Sequence, residues 1–250
     1  MTTSATAPRL AGFDPDAYLR AREIEGRILD DALVARLPSL PRAHALAGEW
    51  ALRGQSAARF MAWLETTPVP RTVLDVGCGT GWLAAAMARI PKTSSIGIDL
   101  DGPELDQARR VFAQPGGPRF VAAAAETVDA ASFAPDVIVL ASVIQYLADP
   151  AEVVARLLAA CPPGGSVHVL DSPLYRPGEV AAAAARTAAH YTRIGVPELA
   201  AAYYHHTLEA FADLAPAVVR ARPAAWRQRV AARLKRPVSP FPWLRFDRPA

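Results

Sequence analysis

Residues 73–82, VLDVGCGTGW, contain the pattern that decides the fold. The stretch begins as a hydrophobic run around Asp75, as in a buried parallel strand. Glycines follow at 77, 79 and 81. They allow a sharp turn and a close approach of the backbone to a ligand. Ligands of open α/β sheets bind at the carboxyl ends of the strands, so the stretch predicts a ligand site here.

The alternation of strand and helix patterns continues over about one hundred residues. Helices are predicted to begin near Gly81, at Pro103 after a capping box of Asp101 and Glu104, and at Pro150 after Asp149. This alternation predicts an α/β fold with a doubly wound, Rossmann-like parallel sheet. The five predicted strands cover residues 71–76, 94–100, 119–125, 136–142 and 166–171.

Helical patterns flank the predicted sheet on both sides. Residues 1–66 are interpreted as a loose tail, 1–12, followed by helices that cover the active site. Asp14 with Pro15 signals the start of the first helix, which is predicted to continue to Asp31. Residues 67–250 form the sheet domain, with 173–206 as a helical cap inserted after the fifth strand. The remaining chain predicts a helix over 207–215, strands over 217–221 and 241–246, and a helix over 224–236. Trp226, Val230 and Leu234 form an apolar stripe on that last helix.

Composition excludes several classes of protein. The chain has 250 residues, is 52% hydrophobic and carries a net charge of +3, which suits one α/β domain and is not diagnostic of nucleic-acid binding. Cys78 and Cys161 lie in apolar surroundings, so a disulfide framework is not expected. No signal peptide or membrane-spanning run is evident, and a cytoplasmic location without membrane contact is expected. The sequence leaves the oligomeric state open.

Two cofactors compete for the predicted ligand site. Asp99 closes the second strand, where a carboxylate would accept hydrogen bonds from ribose hydroxyls. A dinucleotide would place its pyrophosphate on the glycine turn. Asp75 would repel that pyrophosphate, and the glycine spacing is G-x-G-x-G rather than G-x-G-x-x-G. S-adenosylmethionine carries an ammonium, a sulfonium and no phosphate, so Asp75 favours this cofactor.

At this point the sequence resembles the class I S-adenosylmethionine-dependent methyltransferases. VLDVGCGTG, GIDLD, DVIVLASVIQYLADP and CPPGGSVHVLD follow one another in that family's order and spacing, over residues 71–172. Ala124 replaces the family's usual acid near the adenine, and Gln145 with Tyr146 replaces a frequent Glu-His pair. The resemblance implies a methyltransferase sheet that binds the cofactor through Asp75, Gly77, Cys78, Gly79, Gly81, Asp99, Leu100, Ala125, Glu126 and Ser142.

The acceptor is expected above the fourth and fifth strands. The long segment after the fifth strand carries aromatic side chains, which predicts a cap over a small, partly aromatic or apolar acceptor. Either His205 or His206 is the predicted base, and Asp171 could orient the imidazole or act as base itself. On a helix, His206 would share the face of Tyr203. Catalysis by proximity alone, without a base, is the competing interpretation. No metal site is predicted, because no carboxylate or cysteine with ligand spacing accompanies the histidines. The predicted acceptor contacts are Trp50, Arg53, Tyr146, Tyr175, Tyr203 and Tyr204.

Two alternatives stay open. The arginines of residues 220–236 suit a methyltransferase that acts on RNA or protein, although they also suit the solvated face of an amphipathic helix. The departures at Ala124 and Gln145 suit a module that holds the cofactor without catalysis.

Overall fold

A seven-stranded sheet forms the centre of the computed structural model, which describes residues 13–233 and 238–249. The strands are β1 (Arg71–Val76), β2 (Thr93–Asp99), β3 (Arg119–Ala122), β4 (Val137–Ala141), β5 (Ser166–Leu170), β6 (Ala217–Arg220) and β7 (Trp243–Asp247). Their order in the sheet is β3-β2-β1-β4-β5-β7-β6. Strands β1 to β5 are parallel, and β7 runs antiparallel to both β5 and β6. The predicted doubly wound sheet is therefore confirmed.

Helices connect the strands and precede the sheet. They are α1 (Pro15–Ile24), α2 (Asp31–Val34), α3 (Ala47–Leu64), α4 (Trp82–Met87), α5 (Pro103–Phe112), α6 (Pro150–Ala160), α7 (Val180–Arg193) and α8 (Ala225–Arg233). As predicted, Asp14 and Asp149 cap α1 and α6 by accepting hydrogen bonds from backbone N–H groups. No helix among the described residues is long and apolar enough to cross a membrane.

Three local expectations are wrong. The first predicted helix does not continue to Asp31, because the chain turns at Gly26 with φ +64°. Asp101 does not cap α5: the N-cap is Gly102, which has no side chain, and Asp101 contacts Arg109 instead. Residues 203–206 are extended rather than helical. The predicted tail 1–12 and Leu234 lie outside the described residues.

Both faces of the sheet are covered, as its hydrophobic strands require. Val73 of β1 packs with α3 and α4 on one face, around Phe60 and Trp82. Its neighbour Leu74 points to the other face and joins a cluster that includes α6 and Phe211. Because both faces are filled, the open carboxyl ends of the strands are left as the place for a ligand.

The segment after β5 packs against the N-terminal helix. It contains α7 and a 3₁₀ helix over Pro197–Ala202. Val196 and Leu199 form a small buried cluster with Ala17 and Ala21 of α1. The division of the chain at residue 66, with 173–206 as a functional cap, stays a prediction.

Candidate active site

A cavity of about 520 Å³ lies at the carboxyl ends of β1, β2 and β4. This volume is in the range of small-molecule sites. Strand ends and the glycine loop form its floor, and α1 and α3 form the opposite wall. The cavity therefore lies where the sequence placed the ligand site.

The glycine loop shapes the floor. The backbone N–H groups of Gly77 and Cys78 both donate to the carbonyl of Ile98, which ties the loop to the end of β2. A Cβ at Gly77 would lie 2.4 Å from the side chain of Val143, and the residue has φ +74°. At Gly79, by contrast, an added Cβ would meet no atom within 4 Å. Gly77 is thus needed for packing, while Gly79 leaves backbone open to the cavity.

Asp99 presents its carboxylate at the cavity wall. Its Oδ2 accepts a hydrogen bond from the Gly79 N–H at 2.5 Å, and its Oδ1 accepts one from the Leu100 N–H at 2.7 Å. Burial, followed by the nearby charge of Glu104, raises the pKa of Asp99 to about 6. The two backbone donors fix the carboxylate, and each oxygen can still accept from a ligand hydroxyl.

Asp75 lies behind the loop, and its 1% exposure shows that it is not open to solvent. Its Oδ2 is buried without a hydrogen-bond partner in the described structure. Burial, and secondarily the charge of Asp99, raises the pKa of Asp75 to about 7. The cavity wall itself is formed by residues 77–80 rather than by Asp75. A buried carboxylate oxygen without a partner is best satisfied by a cation or donor at the loop.

The predicted adenine end is only partly on the cavity wall. Ala125 lines the cavity, and its carbonyl accepts a hydrogen bond from Arg156. Glu126 is not among the lining residues, and burial raises its pKa. Of these two predicted contacts, the structure places only Ala125 on the cavity wall.

An aromatic wall closes the cavity from the N-terminal side. The ring of Trp50 meets Trp82 edge-on at 5.4 Å, which docks α3 onto the start of α4. The ring of Tyr18 meets both Phe13 and Tyr146, at 5.3 and 6.0 Å. Trp50 and Tyr146 were predicted from sequence, and both line the cavity.

Sequence reasoning missed one polar contact in this wall. Tyr18 Oη lies 3.4 Å from Glu104, and Arg22 Nη2 lies 3.2 Å from the same carboxylate. Tyr18 and Arg22 are four residues apart on α1, so they share one face of the helix. This spacing in the sequence could have indicated that the two side chains act together. Their contact with Glu104 joins α1 to α5 beside Asp99.

The predicted histidine base lies away from the cavity. Neither His205 nor His206 is among the lining residues. Nε2 of His206 lies 3.0 Å from the carbonyl oxygens of both Ile144 and Leu147, so it is a donor in a structural contact. Nε2 of His205 lies 2.8 Å from Thr187 Oγ1. This placement does not support a histidine base.

The geometry assumed for the tyrosine-histidine run is also wrong. In an extended chain, side chains alternate between faces, so Tyr203 pairs with His205 rather than with His206. Their ring centroids are 5.3 Å apart, and those of Tyr204 and His206 are 6.0 Å apart. Tyr203 packs behind Tyr146 at 5.7 Å and supports the wall from outside.

The other predicted contacts divide in the same way. Arg53 and Ser142 line the cavity, whereas Tyr175, Tyr204 and Asp171 do not. Asp171 is buried, and burial raises the pKa of its carboxyl group. Among the described residues, no group of three or more His, Cys, Asp or Glu side chains is placed to hold a metal.

Comparison with known proteins identifies this arrangement. Residues 73–165 match the family model of a methyltransferase domain. The matched residues span the glycine loop, Asp99 and the end of β4. The chain contains a class I S-adenosylmethionine-dependent methyltransferase domain.

Relatives of this methyltransferase domain act on different substrates. The chain is 33% identical over 181 residues to trans-aconitate 2-methyltransferase of Methylobacterium radiotolerans, covering 65% of each chain. It is 35% identical over 125 residues to ribosomal protein L11 methyltransferase of Cupriavidus taiwanensis. That match covers 50% of this chain and only 40% of the relative's own length.

A solved structure shares the fold. Geranyl diphosphate C-methyltransferase of Streptomyces coelicolor, solved with Mg²⁺, geranyl diphosphate and S-adenosyl-L-homocysteine, superposes with a TM-score of 0.61. The match covers 97% of this chain and 100% of that one at 15% sequence identity. This likeness extends the shared architecture beyond the methyltransferase domain to nearly the whole chain.

Proposed function

We propose that this protein transfers a methyl group from S-adenosylmethionine to a small-molecule acceptor. One observation carries the proposal: a single cavity joins the glycine loop and Asp99 to an aromatic wall that includes Trp50 and Tyr146. The loop side suits the cofactor, and the aromatic side suits an acceptor of limited size.

The residues present fit the cofactor. Asp99 would accept hydrogen bonds from the ribose hydroxyls, and Ala125 would border the adenine. The open backbone at Gly79 would face the amino-acid part. The unpartnered Oδ2 of Asp75 would be stabilised by the ammonium group beyond the loop.

The chain's contribution to catalysis is positioning. When bound, S-adenosylmethionine supplies an activated methyl group on its sulfonium. Trp50 and Tyr146 would hold the acceptor against the loop and exclude water, and alignment alone accounts for several kcal/mol of a barrier. Among the described residues that line the cavity there is neither a histidine nor a lysine. Burial raises the pKa of Tyr146, so this phenol is a poor base at neutral pH.

This set of groups favours an acceptor atom that carries no proton at neutral pH, such as a carboxylate oxygen. Such an atom needs no general base. The relative named for trans-aconitate, a small carboxylic acid, supports this choice.

Transfer to a protein is the second candidate, because another relative is named for ribosomal protein L11. The closure of the cavity by α1 and its aromatic side chains favours the small acceptor. A module that binds the cofactor without turnover is the third outcome to be tested. A cytoplasmic location stays a prediction.

Methyl-labelled S-adenosylmethionine separates these possibilities. The protein would be incubated with the small-molecule, protein and RNA fractions of a cell extract, beside Asp99→Ala as the control that lacks the ribose contact. We expect label in the small-molecule fraction, and its loss with Asp99→Ala. Label in the protein or RNA fraction would contradict a small acceptor. Cofactor binding without label in any fraction would indicate a non-catalytic module.

A further inference from the structure

The amino-acid part of the cofactor carries two opposite charges, and the acids described above account for only one of them. Asp75 and Asp99 both lie at the loop, and both would repel the cofactor's carboxylate. A cation close to the glycine loop would offset this repulsion and bind that carboxylate. Four arginines line the cavity in the described part of the chain: Arg22, Arg27, Arg53 and Arg110.

Arg22, Arg27 and Arg110 each bond a carboxylate, and none of their described contacts is with the end of β4. Arg22 bonds Glu104 beside Asp99, at the ribose end. Arg27 bonds Glu49 at 2.8 Å and also pairs with Glu25 at 2.9 Å. Arg110 bonds both carboxylate oxygens of Asp31, at 2.7 and 2.8 Å.

Arg53 is placed differently, because α3 carries it across the start of the glycine loop. Trp50, one turn earlier, docks on Trp82 directly after Gly81. The Arg53 guanidinium lies 5.2 Å from the Trp50 ring centroid, and its Nη2 lies 3.4 Å from Ser142 Oγ. The next residue, Val143, is the one that leaves no room for a Cβ at Gly77. The guanidinium thus lies over the end of β4, beside the first glycine.

Arg53 also bonds a carboxylate, that of Glu49, but it shares the accepting oxygen with a second arginine. Nε lies 3.2 Å and Nη2 3.1 Å from Glu49 Oε1, an oxygen that Arg27 also uses. The contact with Ser142 is at the limit of a hydrogen bond. A carboxylate beside Ser142 would give the guanidinium a stronger, charge-assisted partner.

Resting on the proposed function, we infer that Arg53 binds the carboxylate of the cofactor's amino-acid part. The sequence placed Arg53 among the acceptor contacts, and this inference moves it to the cofactor. Glu49, shared with Arg27, then orients the guanidinium from behind, and Trp50 supports its face. Asp75 and Arg53 divide the two charges between opposite sides of the loop.

Two ligands that differ by the carboxylate alone test the inference. S-adenosylmethionine and its decarboxylated form share the nucleoside, the sulfonium and the ammonium group. Calorimetry without acceptor measures binding rather than turnover. We expect the wild-type protein to bind S-adenosylmethionine about 10- to 100-fold more tightly than the decarboxylated form, as for a hydrogen-bonded charge.

In Arg53→Ala this preference should fall to less than about threefold, through weaker binding of S-adenosylmethionine alone. Arg53→Lys, which keeps the charge without the bidentate geometry, should retain part of it. Arg27→Ala is the matched control, since it also removes a partner of Glu49, and it should keep the full preference. Thermal melting checks that each variant is folded.

A preference that survives intact in folded Arg53→Ala overturns the inference, as does an equal loss for both ligands. A wild-type protein that binds neither ligand refutes the proposed function itself, which is a separate outcome. If Arg53→Ala binds the cofactor as tightly as the wild type but has a raised KM for the acceptor, Arg53 contacts the acceptor, as the sequence predicted.

Discussion

Replacing Asp75 by asparagine should stabilise the ligand-free protein and weaken its hold on the cofactor. The side chain is 1% exposed, and its Oδ2 has no partner in the described structure. Its charge is therefore unfavourable in the folded state until a cation arrives. Asparagine has nearly the same shape and no charge.

The magnitude follows from the pKa of Asp75, which burial raises from 3.8 to about 7. A carboxyl group that binds its proton more tightly when folded reduces stability as the pH rises through this window. A pKa difference of about three units means that ionised Asp75 lowers the free energy of unfolding by about 4 kcal/mol above pH 7, at 1.36 kcal/mol per unit. The buried amide of asparagine also lacks a partner, so the net gain expected at pH 8 is roughly 1–3 kcal/mol.

Scanning calorimetry of both proteins at pH 5.5 and pH 8 measures this gain. We expect Tm of Asp75→Asn to exceed that of the wild type by about 3–10 °C at pH 8. At pH 5.5 the charge penalty is smaller by about 2 kcal/mol, so the two melting temperatures should nearly coincide there. A variant that melts at or below the wild-type temperature at pH 8 would refute the account of Asp75 as an unsatisfied buried charge.

The same substitution should weaken the binding of S-adenosylhomocysteine, although it stabilises the ligand-free protein. If the ligand's ammonium requires ionised Asp75, wild-type affinity should rise about tenfold from pH 6 to pH 8, since the ionised fraction rises from about one tenth to nine tenths. In Asp75→Asn the affinity should be lower at pH 8 and vary little over this range. Equal affinities of the two proteins at pH 8 would show that Asp75 does not meet the ammonium.

Three further predictions concern other parts of the site. Asp99→Ala should weaken S-adenosylhomocysteine binding by about 10- to 100-fold in calorimetry, because it removes charge-assisted hydrogen bonds, with the melting temperature nearly kept. His205→Ala should change turnover less than about tenfold, a loss too small for a general base, and a larger loss with an altered pH profile would restore the histidine base. Hydrogen exchange should slow in Pro15–Ile24 when S-adenosylhomocysteine binds, because α1 forms a wall of the cavity; equal exchange with and without ligand would mean that α1 is already rigid.

The sequence by itself determined the sheet and the position of the glycine loop and Asp99 at the carboxyl ends of its strands. In VLDVGCGTGW, neighbouring residues alone specify a buried strand, a glycine turn and the start of a helix. These three elements fix where the loop lies relative to β1. Asp99 could be placed from sequence for the same reason, since it ends the neighbouring strand β2. Ligand contacts made by residues at strand ends follow from the order of the strands.

Only the tertiary structure decided which side chains of α1 join the opposite wall, since the sequence had already indicated Trp50 and Arg53 of α3. The packing of α1 and α3 against the strand ends brings Tyr18, Arg22 and Arg53 to the cavity, although they are far from the loop in the sequence. The histidine run was misplaced because residues 203–206 are extended rather than helical, which reversed the pairing of side chains. Local patterns specify helices, strands and turns, but the side of a long segment that faces a cavity depends on distant packing partners. For α3, which carries Arg53, that partner is Trp82, on which Trp50 packs. For His206 it is the backbone at Ile144 and Leu147.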